Sequence, residues 1–150
     1  MESLFGKMSF TVGKKHNFLG MQLTFHENSQ LEIDMKSYTC RAIMESSMEK
    51  MLKPSSMPAR SNLFNVNDKS PKLSPAKQKI FHSTVHRPLH VSLRGIRDIY
   101  LTTMLPSSIP KGITNEDRMK IRILLCYLKS AINGTAFIGA HNLCTMVIPA

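Results

Sequence analysis

The stretch from Lys15 to Met35, KHNFLGMQLTFHENSQLEIDM, decides the fold at the beginning of this chain. Apolar residues alternate with polar or small ones from Leu19 to Phe25, and again from Leu31 to Met35. A short polar segment, His26 to Ser29, separates the two arms. Strict alternation on both sides of a polar turn predicts a β-hairpin with one buried face.

Composition sets the broad class of the protein. The 150 residues are 42% apolar and 20% charged, which is typical of a globular domain and argues against wholesale disorder. No apolar run approaches the roughly 18 residues that a membrane span requires, and the N-terminus, MESLFGKMSF, lacks a secretory signal pattern. Three widely spaced cysteines, Cys40, Cys126 and Cys144, favour reduced thiols over a disulfide framework. We therefore expect an intracellular protein, cytoplasmic or nuclear, with no membrane contact.

The chain is strongly basic, with a formal net charge of +10 at pH 7. Residues 76–150 hold ten Lys or Arg against three Asp or Glu, so the second half carries most of the excess. A basic face toward a polyanion is one interpretation, because phosphate contacts give sequence-independent, salt-dependent affinity. A solvated surface is the other, because the basic residues are scattered and form no long block.

Helical periodicity begins after the hairpin. From Ser37 to Leu52, apolar residues at positions 40, 44, 48 and 51 form a stripe, which predicts a helix that Pro54 stops. The segment 53–74 is rich in Ser, Pro, Asn and Lys, which is typical of an exposed connection. Three apolar residues are expected to pin it to the body: Leu63, Phe64 and Val66. Pro75 suits a first helical position, and helical texture continues to about Met104.

The cleanest amphipathic helix lies in the last third of the chain. Thr114 with Asp117 forms a capping-box pattern. An apolar stripe follows at Ile121, Leu124, Leu125, Leu128 and Ile132, and Asn133-Gly134 is expected to end the helix. Two short apolar runs, Thr135 to Ile138 and Thr145 to Ile148, are expected to pair as strands. The sequence thus predicts an α+β fold, with an N-terminal β-hairpin, about three helical regions and a short C-terminal strand pair.

Five short motifs occur in a definite order along the chain. They are Phe18-Leu19-Gly20-Met21, the loop Asn62 to Asp68, a helical set of Phe81, His82 and Val85, then Ile96-Arg97-Asp98-Ile99, and Tyr127-Leu128-Lys129. This ordered set resembles the reverse transcriptase of copia-type LTR retrotransposons, from Phe5 to the end. Compared with that family, the chain starts after the catalytic aspartates and stops at the edge of the ribonuclease H domain.

The resemblance implies a palm-edge and thumb fragment of an RNA-directed DNA polymerase. Residues 1–36 correspond to the primer-grip hairpin, 37–134 to a helical thumb-like region with the polar loop 53–74, and 135–150 to the start of ribonuclease H-like strands. Six residues are implied to bind nucleic acid: Phe18, Leu19, Gly20, Met21, Arg87 and Arg94.

The implied roles of these six residues have plainer alternatives. By resemblance, Gly20 lets the backbone approach the primer, Met21 packs beneath it, and the two arginines meet phosphates. The residue types alone equally allow Gly20 to be a strand irregularity, Met21 to be core, and both arginines to be solvated surface.

Four positions depart from the family pattern. Pro88 and Pro106 stand where the family has helix, Arg97 replaces the proline of the usual Arg-Pro-Asp-Ile motif, and Leu93 replaces a basic residue. An interior proline costs a helix about 3 kcal/mol or more. We expect either a decayed copy or a helix that breaks at the prolines, with Pro88 bending the face that carries the two arginines.

Catalysis by this chain alone is not expected. Two-metal nucleotidyl transfer needs clustered carboxylates, yet the only adjacent acids are Glu116-Asp117 at a helix start. No phosphate-cradling loop and no nucleophile elbow occur in the sequence. His82, His86 and His90 recur every fourth residue, but Pro88 interrupts them and no further ligand lies nearby. We expect no cofactor, since Mg²⁺ enters only the complete enzyme, through residues absent here.

Three hypotheses follow. The first is a partial, non-catalytic reverse transcriptase that binds template–primer RNA/DNA duplex weakly and without sequence preference. The second is an inert or domesticated remnant that acts as a small protein-interaction module, with self-association through exposed apolar surface. The third is a spurious reading frame whose product never folds.

Overall fold

A computed structural model describes residues 12–46, 48–65, 67, 69–107 and 112–139. These residues form one four-stranded sheet and four α-helices, which confirms the predicted α+β class. The strands are β1 (Lys15–Phe18), β2 (Met21–Phe25), β3 (Gln30–Asp34) and β4 (Thr135–Gly139). The helices are α1 (Lys36–Met44), α2 (Pro75–Arg94), α3 (Tyr100–Ser107) and α4 (Asn115–Ser130), with 3₁₀ turns at Glu49–Met51 and Arg97–Ile99.

The sheet is antiparallel throughout, in the order β1-β2-β3-β4. The predicted hairpin is β2–β3, joined through the polar segment 26–29. Leu23 lies opposite Ile33, and Ile33 lies opposite Ala136 of β4, on the face that packs against the core. β4 therefore extends the N-terminal sheet. Its predicted partner, Thr145 to Ile148, lies outside the described residues.

The first arm of the hairpin begins later than alternation predicts. β2 starts at Met21, because Leu19 and Gly20 form a two-residue turn between β1 and β2. Both turn residues have positive φ, 49° at Leu19 and 81° at Gly20, as the type I′ turns of two-residue hairpins require. Phe18 and Met21 pair across the turn. Alternation does not reveal this turn, since the apolar and polar order runs through it unbroken.

The helix predicted from Ser37 to Leu52 ends at Met44, and its predicted stripe is wrong in part. Met48 is buried and Cys40 half-buried, but Met44 and Met51 are 63% and 62% exposed. Because the chain leaves the helix after Met44, the later methionines do not continue its face. α1 instead buries Thr39, Ala42 and Ile43.

The expected break at Pro88 is also wrong, since α2 runs through this proline for its full 20 residues. Pro88 is less than 2% exposed and lies on the same buried side of the helix as Val85 and Val91. Because proline has no N–H, the carbonyl of Thr84 lacks its usual helical partner. Burial of the helix face that contains Val85, Pro88 and Val91 offsets the loss of this hydrogen bond. Pro106 is likewise buried, one residue before the end of α3.

The predicted amphipathic helix, α4, forms the centre of the core. Its stripe residues Ile121, Leu124, Leu125 and Leu128 are all 0% exposed. The predicted capping box is present: the Asp117 N–H donates to Thr114 Oγ1 at 3.3 Å, and the Thr114 N–H donates to the Asp117 carboxylate at 3.0 Å. The helix ends at Ser130, slightly before the predicted Asn133-Gly134.

Basic side chains of α4 hold the connection between α1 and α2. Three of them donate hydrogen bonds to its backbone carbonyls: Lys120 to Asn65 at 2.7 Å, Arg122 to Met51 at 3.1 Å, and Lys129 to Leu52 at 3.2 Å. Phe64, which was expected to pin the connection, is 67% exposed. Leu63 is half-buried, and Val66 lies outside the described residues. Charge-assisted hydrogen bonds therefore fix this segment together with its buried apolar residues Met48, Leu52 and Leu73.

Candidate nucleic-acid interface

The six predicted binding residues form two groups, the turn 18–21 and two arginines of α2. In the turn, Phe18 and Leu19 are each 57% exposed, whereas Met21 is half-buried and packs against the core. The β1–β2 hairpin therefore presents two apolar side chains to solvent while Met21 attaches its turn to the body of the protein.

Gly20 brings the backbone of this turn against the aromatic ring of Tyr38. A Cβ atom built on Gly20 would lie 2.7 Å from Cδ2 of Tyr38, closer than real side-chain carbons approach one another. Gly20 also has φ +81°, a conformation that L-residues rarely adopt. Two independent constraints, one conformational and one steric, therefore select glycine at this position.

Tyr38 links the turn to α2. Its ring packs on the imidazole of His90 with the ring centroids 4.6 Å apart and the planes tilted by 31°. The Nδ1 atom of His90 is buried and has no hydrogen-bond partner among the described residues. Burial lowers the pKa of His90, and the neighbouring Arg94 lowers it further. The lowered pKa favours the neutral form of His90, which suits close stacking on an aromatic ring.

The two predicted arginines flank His90 on α2. Arg87 lies three residues before it and Arg94 four residues after it, so the three side chains share one face of the helix. Arg87 is half-buried and forms an ion pair with Glu45, just past the end of α1. Arg94 is half-exposed and forms no ion pair with any residue that the structure describes. The turn contacts Tyr38, whose ring packs on His90 between the two arginines of α2.

α2 is the most one-sided element in charge. Its sequence, PAKQKIFHSTVHRPLHVSLR, contains four Lys or Arg and three His, with no Asp or Glu. Lys77 and Lys79 near its start are exposed. The helix itself therefore carries positive charge only, and Glu45 of the neighbouring segment offsets that of Arg87.

A groove beside Tyr38 separates the turn from the start of α1. Its volume is about 280 Å³, and its lining includes Gly20, Met21, Tyr38, Arg41 and Asp34. The guanidinium carbon of Arg41 lies 5.9 Å from the centroid of the Tyr38 ring, within the range of a cation–π contact.

Sequence reasoning did not find Tyr38, Arg41 or Glu45. Their spacing of three and four residues places them on one face of a helix, which was the available signal. What makes them functional candidates is the contact of Tyr38 with Gly20, 18 residues earlier, and the pairing of Glu45 with Arg87 of α2. Arg41 lines the groove beside Tyr38 with Gly20. No local pattern reports such contacts.

Two of the five quoted motifs meet in the fold. The hydroxyl of Tyr127 in α4 donates a hydrogen bond to the carboxylate of Asp98 in the 3₁₀ turn 97–99. Burial, this hydrogen bond and the negative charge of Asp98 raise the pKa of Tyr127 from 10.0 to about 12. The contact joins the segment between α2 and α3 to the core helix.

This contact predicts a pH dependence of stability in alkaline solution. Because the folded-state pKa of Tyr127 lies above its ordinary value, the folded chain retains the phenol proton to a higher pH than the unfolded chain does. The stabilisation is therefore complete below pH 10 and is lost as the pH rises toward 12. Phenolate absorbance of the wild type minus that of Tyr127→Phe should show a titration near pH 12. Asp98→Asn should lower that midpoint part of the way, because burial of Tyr127 remains, and an unchanged midpoint would contradict the contribution of Asp98.

The three histidines of α2 do not assemble a metal site in the described residues. No group of three or more His, Cys, Asp or Glu side chains is placed to hold an ion in this part of the chain. His90 packs on Tyr38, and His82 makes an edge contact with Phe81 at a centroid distance of 6.0 Å. Cys40 and Cys126 are free thiols, and Cys144 lies outside the described residues.

No helix within the described ranges is both long enough and apolar enough to cross a membrane. Comparison of the chain with protein-family models, with curated proteins and with solved structures found no match.

Proposed function

We propose that the chain is a partial, non-catalytic reverse transcriptase of the copia type, which binds template–primer duplex through the surface around Tyr38. The sequence lacks clustered carboxylates, so the proposal concerns binding alone. The affinity is expected to be weak and independent of base sequence, because it rests on contacts with phosphates.

One observation carries the proposal. The turn 18–21 and the arginine face of α2 are the binding elements that the resemblance implies, and the Tyr38–His90 ring pair connects them, since Tyr38 contacts Gly20 and packs on His90. A duplex backbone that follows this surface is expected to meet both the exposed turn and Arg94. Its phosphates are complementary to a helix that has no acidic residue.

The contact between Asp98 and Tyr127 gives secondary support. Both residues belong to motifs that carry the resemblance, and their hydrogen bond offers a physical reason for the two motifs to occur together. The contact lies within the fold and makes no statement about nucleic acid by itself.

The test is a titration of a labelled RNA–DNA hybrid at several salt concentrations. The logarithm of the association constant should fall linearly with the logarithm of salt concentration. Arg94→Ala should flatten that slope by roughly one unit, because Arg94 forms no ion pair among the described residues. Arg87→Ala should change the slope less, since Glu45 already offsets its charge.

Arg118→Ala is the matched control, because Arg118 is an exposed arginine of α4 that lies away from the named motifs in sequence. Equal salt-dependence slopes for the Arg94 and Arg118 variants would mean that general charge attraction explains the binding, and would contradict the proposed surface.

A second candidate function, a protein-interaction module, is favoured by one feature of the sheet. The face that packs on the core continues past Leu31 to Phe25 and Ile138, which are 48% and 38% exposed and lie in register with it. Exposed apolar surface promotes association. Absence of hybrid binding at low salt, together with concentration-dependent sedimentation, would favour this candidate over the first.

A further inference from the structure

The cleft between α1 and α2 contains two guanidinium groups and one carboxylate. It has a volume of about 260 Å³ and is lined by Tyr38, Arg41, Ala42, Glu45 and Arg87. The side chains of Arg87 and Glu45 are 33% and 45% exposed, and Arg41 is exposed. The charged groups are therefore within reach of a ligand from solution.

The charges in this cleft are not balanced. Glu45 lies four residues after Arg41, a spacing at which helical residues often pair, yet its carboxylate pairs with Arg87 of α2. Arg41 forms no ion pair with the residues that the structure describes, and its guanidinium lies over the Tyr38 ring. One positive charge is thus uncompensated, and a second is neutralised by a group that can move.

The size and chemistry of the cleft match a phosphate group. A water molecule occupies about 30 Å³ of liquid volume, so the cleft has room for a tetrahedral oxyanion and some of its water. Guanidinium groups bind phosphate oxygens through paired N–H donors, and two arginines from different helices can approach one phosphate from two directions.

We propose that this cleft is a phosphate-binding site in which Glu45 occupies the place of the phosphate until the ligand binds. Phosphate then binds Arg87 and Arg41 together and displaces the Glu45 carboxylate from Arg87 toward solvent. The polynucleotide backbone as the source of that phosphate rests on the proposed function, whereas the site itself requires only an accessible phosphate.

The decisive variant is Glu45→Gln, which removes the competing charge and keeps the shape of the side chain. Exposed charge pairs contribute up to about 1 kcal/mol, so hybrid affinity should rise about two- to fivefold. The gain should disappear in the double variant Glu45→Gln/Arg87→Ala, and Arg41→Ala alone should weaken binding. Glu49→Gln is the control, because Glu49 is an exposed acid near the cleft in sequence but outside its lining.

A second arm uses inorganic phosphate and needs no nucleic acid. Sodium phosphate should raise the melting temperature of Glu45→Gln more than that of the wild type, relative to sodium chloride at equal ionic strength. Arg41→Ala should remove the effect. This readout also reports whether each variant is folded.

The two arms separate failure of this site from failure of the proposed function. If hybrid binding depends on Arg94 but Glu45→Gln and Glu49→Gln raise it equally, the phosphate site in the cleft is wrong and the proposed function stands. A phosphate effect that depends on Arg41, without any hybrid binding, supports the cleft and overturns the nucleic-acid source. Absence of both effects overturns both.

Discussion

Leu124→Ala is expected to lower the free energy of unfolding by about 3–5 kcal/mol, the range observed when a buried leucine leaves a cavity. Leu124 is 0% exposed and lies in the centre of α4 among three other fully buried residues of the same stripe. Because small domains have a total stability of about 5–15 kcal/mol, this loss brings the chain close to unfolding. Urea denaturation followed by circular dichroism measures it.

Met119→Ala is the control for the leucine variant, because Met119 lies on the same helix and is 51% exposed. Its effect should stay within about 0.5 kcal/mol, as is usual for surface substitutions. Similar losses at both positions would contradict the assignment of α4 as the core helix.

Gly20→Ala is expected to destabilise the protein by about 1–3 kcal/mol and to displace Tyr38 from His90. The new Cβ meets the Tyr38 ring at 2.7 Å, and φ of +81° is unfavourable for alanine. Tyr38 cannot yield freely, since its ring packs on His90. Thermal unfolding measures the stability loss, and the same variant should reduce hybrid binding because it moves the turn away from α2.

Two other glycines separate the causes of the Gly20 effect. Gly13 has φ +137° with nothing within 4 Å of a built Cβ, so Gly13→Ala tests backbone strain without a clash. Gly139 has open space and no positive φ, so Gly139→Ala introduces neither backbone strain nor a clash and serves as the control. A double-mutant cycle of Gly20→Ala with Tyr38→Ala should recover part of the loss. No recovery would show that contact with Tyr38 is not the cause.

The elements that sequence predicted best are those whose burial follows from local periodicity. The stripe of α4 and its Thr114–Asp117 cap depend on residues one turn apart, and both are present. The alternation of β2 and β3 likewise needs only neighbouring residues. In these segments, local preference and tertiary packing agree.

The predictions that failed are those that tertiary packing decides. Pro88 breaks an isolated helix, but here the core on its buried side holds α2 together. Met44 and Met51 match a helical stripe, yet the chain leaves the helix between them. The Leu19-Gly20 turn depends on two positive φ angles that the alternation conceals.

The candidate site was predicted in parts and not as a whole. The resemblance implied the turn and both arginines, and Tyr38 connects the turn to the helix that carries the arginines. Tyr38 and Glu45 were missed, because their importance lies in contacts with Gly20 and Arg87 across long stretches of chain. Arg41 was missed because only the fold places it in the cleft with Arg87. Only three-dimensional proximity distinguishes them from the other polar residues of a surface helix.

The pairing of β4 with β3 has a consequence for the order of folding. Gln30 and Gly139 are register partners, so β3 of the N-terminal hairpin pairs with a strand at the end of the last described segment. During synthesis, β3 can pair with β4 only after Gly139 has left the ribosome. Until then, the N–H and C=O groups on that edge of β3 have no hydrogen-bond partners from β4. Such distant pairing slows folding, since the intervening loop must close first. A nascent chain that stops before Thr135 would therefore present an open strand edge, ready to join a neighbouring polypeptide.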